Sequence, residues 1–221
     1  MHNVVNNLLS IQNELKIKIK KLNLNNYNPN IIAVSKTFSM QDIDPLINHG
    51  HIHFGENKVQ EAVEKWSNVK NDIKNIKLHM VGKLQTNKVK YVIPLFDYIH
   101  SLDNLKLAEK ISKEQIKKNK IINLFIQINI GNESQKSGIL PENLENFYKI
   151  CNNDLNLNII GLMCLPPNNL NAEKYFSEMF ELSKKITLKE LSMGMSNDYL
   201  NAIKYNSTYL RIGSKIFGER N

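Results

Sequence analysis

The sequence predicts an α/β fold, a single (β/α)8 barrel of the TIM type with one extra helix at its amino end. Three observations carry this. Eight short apolar runs alternate strictly with longer polar segments of helical periodicity. The runs are nearly continuous in apolar residues, and no G-x-G-x-x-G follows the first of them. Continuous apolar strands between amphipathic helices make a parallel sheet with both faces covered. Eight such units favour closure, whereas an open dinucleotide-binding sheet carries a glycine fingerprint after its first strand. No Pro/Gly/Ser linker, low-complexity block or short repeat interrupts the chain, so residues 1–221 are expected to form one barrel domain.

The elements follow in order. Met1–Leu22 sets Val4, Val5, Leu8, Leu9, Gln12, Leu15 and Ile19 at roughly helical spacing and gives the extra helix. Strands are expected at Ile31–Ser35, His51–Phe54, Leu78–Val81, Tyr98–His100, Ile122–Ile128, Ile159–Met163, Glu190–Ser192 and Leu210–Ile212. Helices are expected at Met40–Asn48, Lys58–Asn68, Asn87–Ile93, Leu105–Lys118, Pro141–Asn152, Asn171–Lys185 and Asp198–Tyr205. Pro141-Glu142 suits a first helical turn, and Ser196-Asn197-Asp198 offers capping side chains.

Composition narrows the function. With 42% hydrophobic and 23% charged residues the chain reads as an ordinary globular protein. Its apolar stretches are too short for a bilayer, and its amino terminus has neither an apolar signal core nor a small-residue cleavage site. The expected location is cytoplasmic. Cys151 and Cys164 form no CxxC pattern and read as reduced, buried or half-buried thiols. The net charge of +8 comes from lysine scattered through the whole chain, with no arginine cluster, aromatic stacking series or nucleic-acid-binding motif, so nucleic acid is not the expected partner. In so lysine-rich a chain the only arginines, Arg211 and Arg220, are expected at places that need a planar fork or a very high pKa.

In a barrel, functional groups gather where strands end. Those positions hold Lys36-Thr37, Gly55-Glu56-Asn57, Gly82-Lys83, Ser192 to Ser196 and Arg211 to Ser214, types that suit a phosphorylated ligand. Lys36 ends an apolar run. Such a lysine either snorkels to water or, partly desolvated, acts as a Schiff-base amine. Gly213-Ser214 follows the last strand, where glycine lets backbone N–H groups approach a phosphate and the serine adds a hydroxyl. Ser192, at the expected end of the seventh strand, adds another. The alternative is a tight turn at Gly213 with Ser214 as its cap. Arg211, inside the rim, needs an acceptor, because a guanidinium cannot shed its proton. A pyridine nitrogen is one. Amine, phosphate cradle and arginine match the three handles of pyridoxal 5′-phosphate (PLP): aldehyde, phosphate and ring nitrogen.

The motifs behind these positions run nearly end to end. They are Ala33-Val34-Ser35-Lys36-Thr37, His53-Phe54-Gly55-Glu56-Asn57, His79-Met80-Val81-Gly82 with Leu84-Gln85-Thr86-Asn87-Lys88, Glu133 to Gly138, Gly161-Leu162-Met163, Leu191 to Ser196, and Arg211 to Ser214 with Ile216-Phe217-Gly218. In this the chain resembles the pyridoxal phosphate homeostasis proteins, a family similar to the barrel domain of alanine racemase (PLP fold type III). The resemblance implies Lys36 as the Schiff base, Arg211 facing the pyridine nitrogen, Ser192, Gly213 and Ser214 on the phosphate, and Asn57 at the cofactor's rim. Ser214 stands where the family usually has threonine, Lys83 where it often has histidine, and Lys58 where an aromatic residue is frequent. The last two changes concern rim contacts.

An arginine facing the ring nitrogen donates a hydrogen bond without protonating it, which leaves the ring a weak electron sink. The expected role is therefore a carrier that buffers PLP or delivers it to PLP-dependent apo-enzymes, acting as a monomer without robust turnover. The alternative is a slow amino-acid racemase. That needs a second base opposite the substrate carbon, and the sequence stops at Asn221, just after the eighth strand, with no length for the C-terminal domain of alanine racemase. Three further signals are weaker. His49, His51 and His53 alternate as metal ligands can, but His49-Gly50 reads as a helix end, and no metal is expected. His79 reads as a packed or hydrogen-bonded core histidine. Lys136 is either a solvated lysine or a second amine able to accept the transferred cofactor.

Overall fold

The eight predicted strands all form, and they close on themselves. The computed structural model describes residues 2–167 and 171–219, which leaves Arg220 outside them. The strands are β1 (Asn30–Val34), β2 (His53–Glu56), β3 (Lys77–Met80), β4 (Tyr98–Leu102), β5 (Asn123–Ile128), β6 (Ile159–Cys164), β7 (Glu190–Met195) and β8 (Tyr209–Ile212). Each pairs in parallel with the next, and β8 returns to β1 with Ile32 opposite Arg211 and Ala33 opposite Ile212. The helices are α1 (Asn3–Lys21), α2 (Met40–Asn48), α3 (Val59–Asp72), α4 (Val89–Leu95), α5 (Leu105–Lys118), α6 (Leu144–Lys149), α7 (Ala172–Lys185), α8 (Tyr199–Ala202) and α9 (Ser214–Phe217).

Alternation along the strands separates two cores. Outward-facing residues such as Phe54, Leu78 and Ile99 join Trp66, Ile43 and Phe176 from the helices in a large buried layer. Inward-facing Ile32, Val34, Phe125, Met163 and Tyr209 fill the barrel as a separate cluster. Each large apolar side chain removed from water contributes roughly 1.5–3 kcal/mol. The inner cluster is small because much of the barrel interior is polar: His79, His100, Ser192 and Arg211 are buried there too.

Local chemistry sets the boundaries. Asn104 caps α5 by accepting the Leu107 N–H at 2.9 Å, and Asn119 ends it in the left-handed conformation. Ser39 and Asp42 form a capping box on α2. The helix expected over Pro141–Asn152 is instead a 3₁₀ turn (Pro141–Asn143), α6 and a π turn (Ile150–Asp154). Strand β7 runs past its expected end at Ser192 because Gly194, at φ 90°, accommodates a shift of register between Ser192 and Met195. A Cβ there would come within 2.8 Å of Ala202 Cβ. Among the described residues no helix is long and apolar enough to cross a membrane.

Candidate functional site

Lys36 and Asn57 occupy the loops that leave the carboxyl ends of β1 and β2, and Gly213-Ser214 leads from the end of β8 into α9; the three strands are consecutive in the ring. Lys36 is half-buried and its neighbours are tied down on both sides. Before it, the buried Ser35 donates its N–H to the Gly55 carbonyl at 2.9 Å and its hydroxyl to Glu56 Oε1 at 2.8 Å. After it, Thr37 donates its N–H to Glu61 Oε1 at 2.6 Å. Thr37 also sits at φ 69°, a conformation that costs a β-branched residue on the order of 1 kcal/mol. The lysine thus leaves a backbone that is held, not draped.

The holding group is Glu56. Fully buried, its Oε1 accepts from Ser35, from Lys65 Nζ at 3.0 Å and from Trp66 Nε1 at 2.9 Å, and Lys65 also reaches the Ser35 carbonyl and Glu61. Phe38 stacks on Phe217 with ring centres 4.8 Å apart, which joins the Lys36 loop to α9. The half-buried Asn57 lies against the loop after β3, where only glycine fits: a Cβ on Gly82 would fall 2.3 Å from the Asn57 carbonyl oxygen.

Arg211 sits inside the barrel, 5% exposed. Its Nη1 donates to Ser192 Oγ at 2.6 Å and its Nη2 to the Cys164 carbonyl at 2.8 Å, so the fork reaches from β8 past β7 to the end of β6. Burial lowers its pKa from the usual arginine value, yet a guanidinium stays charged at neutral pH. Two bonds anchor it without exhausting its five N–H donors. Burial raises the Cys164 thiol to about 12, and Cys151 likewise, so both are inert free thiols.

Ser192 takes a different place from the one expected. It lies mid-strand and fully buried, between Arg211 and His100 Nδ1 at 2.8 Å. The hydroxyl that reaches the turn after β8 belongs to Ser196, which accepts the Lys215 N–H at 3.3 Å. The β7 bulge separates the two roles: it keeps Ser192 interior and delivers Ser196 to the rim. Gly213 is not demanded by crowding, since a Cβ there would meet nothing nearer than the Val34 carbonyl at 3.4 Å.

Other predicted groups lie elsewhere. His49 is exposed at the end of α2, His51 pairs with the His53 carbonyl and His53 with His79, so the three do not converge. His79 is a buried, hydrogen-bonded core residue. Lys136, in the loop after β5, pairs with Glu133 and donates to the Pro166 carbonyl at 3.0 Å. The sequence reading includes Ser196 among the rim positions but assigns the phosphate hydroxyl to Ser192, and it passes over Glu56 as an anchor and His100 as a functional group. Inward parity on β4 was the one available signal for His100.

The model of the alanine racemase N-terminal domain family matches residues 12–221. The chain belongs to that family. Its curated relatives include the pyridoxal phosphate homeostasis protein of Haemophilus influenzae, 37% identical with 99% of this chain and 97% of the relative covered. That of Aquifex aeolicus is 38% identical, with 86% of each chain covered. This degree of likeness places the chain among the pyridoxal phosphate homeostasis proteins. The solved structure of PipY from Synechococcus elongatus with PLP bound superimposes at a TM-score of 0.78 and 30% identity, covering 92% of this chain and all of that one. Alanine racemase from Clostridium difficile shares the fold at a TM-score of 0.70 and 13% identity.

Proposed function

We propose that this protein is a PLP carrier that holds the cofactor at the carboxyl-end rim and buffers or delivers it without robust turnover of its own. The observation that carries this is strand pairing: β1, which leads into Lys36, and β8, which carries Arg211 and leads into Gly213-Ser214, lie side by side in register. One small ligand is therefore within reach of the amine, the guanidinium and the Gly213 turn together. PipY, a relative of known structure, has PLP bound, and the curated relatives are named for PLP homeostasis, not for a reaction.

The donor set fits the group. PLP supplies an aldehyde that condenses reversibly with amines and a ring that stabilises negative charge when its nitrogen is protonated. Lys36 supplies the amine. Gly213 leaves room for close approach, and Ser214 with Ser196, which replaces Ser192 in this role, offers hydroxyls to the phosphate. Asn57 borders the rim. Arg211 keeps its proton on the guanidinium, so it can donate to the ring nitrogen and cannot protonate it. That arrangement favours holding over transforming. Several tyrosine hydroxyls are engaged with protein partners: Tyr27 with the Ser207 carbonyl, Tyr98 with Tyr209, and Tyr199 with Glu14 and Lys215. Cytoplasmic apo-enzymes that require PLP are the proposed acceptors, and a monomer the proposed state.

The test is the visible spectrum of the purified protein with and without Lys36→Ala, followed by borohydride reduction and peptide mapping. A yellow protein whose colour is lost in the variant, with the reduced adduct on Lys36, supports the reading. A colourless protein that takes up no added PLP refutes it.

A further inference from the structure

Arg211 is a buried cation whose side chain meets no carboxylate among its hydrogen-bond partners. What it meets is the start of a hydrogen-bonded chain. Ser192 Oγ lies 2.8 Å from His100 Nδ1, His100 Nε2 lies 2.9 Å from His79 Nδ1, and His79 Nε2 lies 3.0 Å from His53 Nδ1. The chain crosses from β8 through β7, β4 and β3 to β2. It ends at the half-buried His53, beside a cavity of about 440 Å³ at the amino end of the barrel, bordered by Tyr27, Asn30 and His51. The base of the barrel is thus connected to the proposed cofactor pole.

Donor rules, together with the need to satisfy the buried Ser192 proton, order every bond in it. A guanidinium has donors only, so Ser192 Oγ accepts from Arg211; its own proton meets no recorded acceptor but His100 Nδ1, and burying it unpaired would be costly, so Ser192 donates to His100. His100 must then carry its proton on Nε2 and donate to His79 Nδ1. His79 in turn donates from Nε2 to His53 Nδ1. Stacking holds the rings in place, His100 on Phe125 with centres 4.3 Å apart and His79 on Tyr98 at 4.2 Å. Burial holds all three imidazoles in the neutral form that this ordering requires.

We infer that Ser192, His100, His79 and His53 form a one-way hydrogen-bond relay, all in the Nε2–H tautomer, that positions Arg211 for the ring nitrogen of the cofactor. Its acceptor ends all point towards the guanidinium, and aligned bonds in a low-dielectric interior polarise one another. The relay therefore does the work that a carboxylate does beside most buried arginines, without adding a negative charge that would draw the guanidinium away from its ligand. These four are positioning residues. Their link to the ring nitrogen rests on the PLP reading above, whereas the order of the bonds does not.

Two measurements test it. In the 15N-labelled apoprotein at neutral pH, long-range 1H–15N correlation should show His53, His79 and His100 each as a single Nε2–H tautomer. In Ser192→Ala, His100 should lose its hydrogen-bonded Nδ1 signature. Any of the three found charged or as the Nδ1–H tautomer overturns the relay. In the PLP-loaded protein, His100→Phe keeps the stack on Phe125 but ends the relay. It should shift the visible band and speed PLP release on the order of tenfold, the factor one charge-assisted hydrogen bond carries. His100→Gln, with one acceptor and one donor, should restore both. A phenylalanine variant with the wild-type band and release rate overturns the positioning role. Wild-type protein that takes up no PLP removes the cofactor role and refutes the functional reading, while the apoprotein tautomers still decide the relay.

Discussion

Mild acid should unfold this barrel early, and its buried histidines set the scale. Burial lowers the pKa of His51 and His53 to about 4 and that of His79 and His100 well below the usual imidazole value. The unfolded chain titrates near 6.5, so it takes up these protons first. Their contribution is complete above about pH 6.5 and is lost as pH falls from there towards the folded values. One such group costs about 1.4 kcal/mol at pH 5.5, one unit below its unfolded pKa. Four of them, with the half-buried His51 and His53 discounted for their contact with water, cost about 5 kcal/mol. A domain stable by roughly 5–15 kcal/mol loses a third or more of its margin. Trp66, the single tryptophan and fully buried, reports unfolding by its fluorescence. Urea midpoints between pH 8 and 5.5 should fall steeply, with about three to four protons bound on unfolding at the acid end, and His53→Gln should remove close to one of them. Stability that stays flat across this range would refute the assignment of these histidines as buried and neutral.

Three more predictions concern the rim. Glu56→Gln keeps an acceptor but removes the charge that Lys65 and Trp66 share. With Glu61 still beside Lys65, the loss should be about 3 kcal/mol, the low end for breaking a buried pair. A urea midpoint equivalent to less than about 0.5 kcal/mol of change contradicts it. Gly82→Ala sets a Cβ against Asn57 backbone atoms that cannot rotate aside, so it should cost roughly 1–3 kcal/mol and weaken PLP retention measured by equilibrium dialysis. Unchanged stability and retention would show that the two loops are free to part. Lys136→Ala should slow PLP delivery to an acceptor apo-enzyme if Lys136 is a second carrier amine, and delivery at the wild-type rate removes it from that role.

Most of the architecture was legible because barrel strands advertise themselves twice, as apolar runs and by the turn chemistry around them. Helices α2 and α5 end where the sequence places them, and Asn104 and Asn119 explain the second case in full. The segment after Pro141 was misjudged as one helix because apolar periodicity does not distinguish 3₁₀, α and π turns in so short a stretch. The reading of Ser192 failed for a related reason. A glycine normally marks a strand's end, but Gly194 marks a bulge, and the strand continues beyond it. That one misplaced boundary set Ser192 at the rim in place of Ser196.

The histidines were harder still, because nothing local distinguishes a core histidine from one in a network. Each of His53, His79 and His100 lies on a different strand; the pairing of β2, β3 and β4 lines them up, and the ring closure brings Ser192 of β7 and Arg211 of β8 round to their end. The same closure explains why this interior can be polar. A barrel filled with aliphatic layers would be more stable for its area, since a buried polar network gains little net energy even when fully satisfied. What the polar filling provides is a fixed direction. A donor-only guanidinium at one end imposes a single tautomer on every ring below it, and those rings in turn leave the guanidinium few ways to turn. A salt bridge would hold Arg211 more strongly but would also compete with any acceptor offered from the rim. A neutral relay holds it while leaving its charge for the ligand, as the proposed carrier role would require.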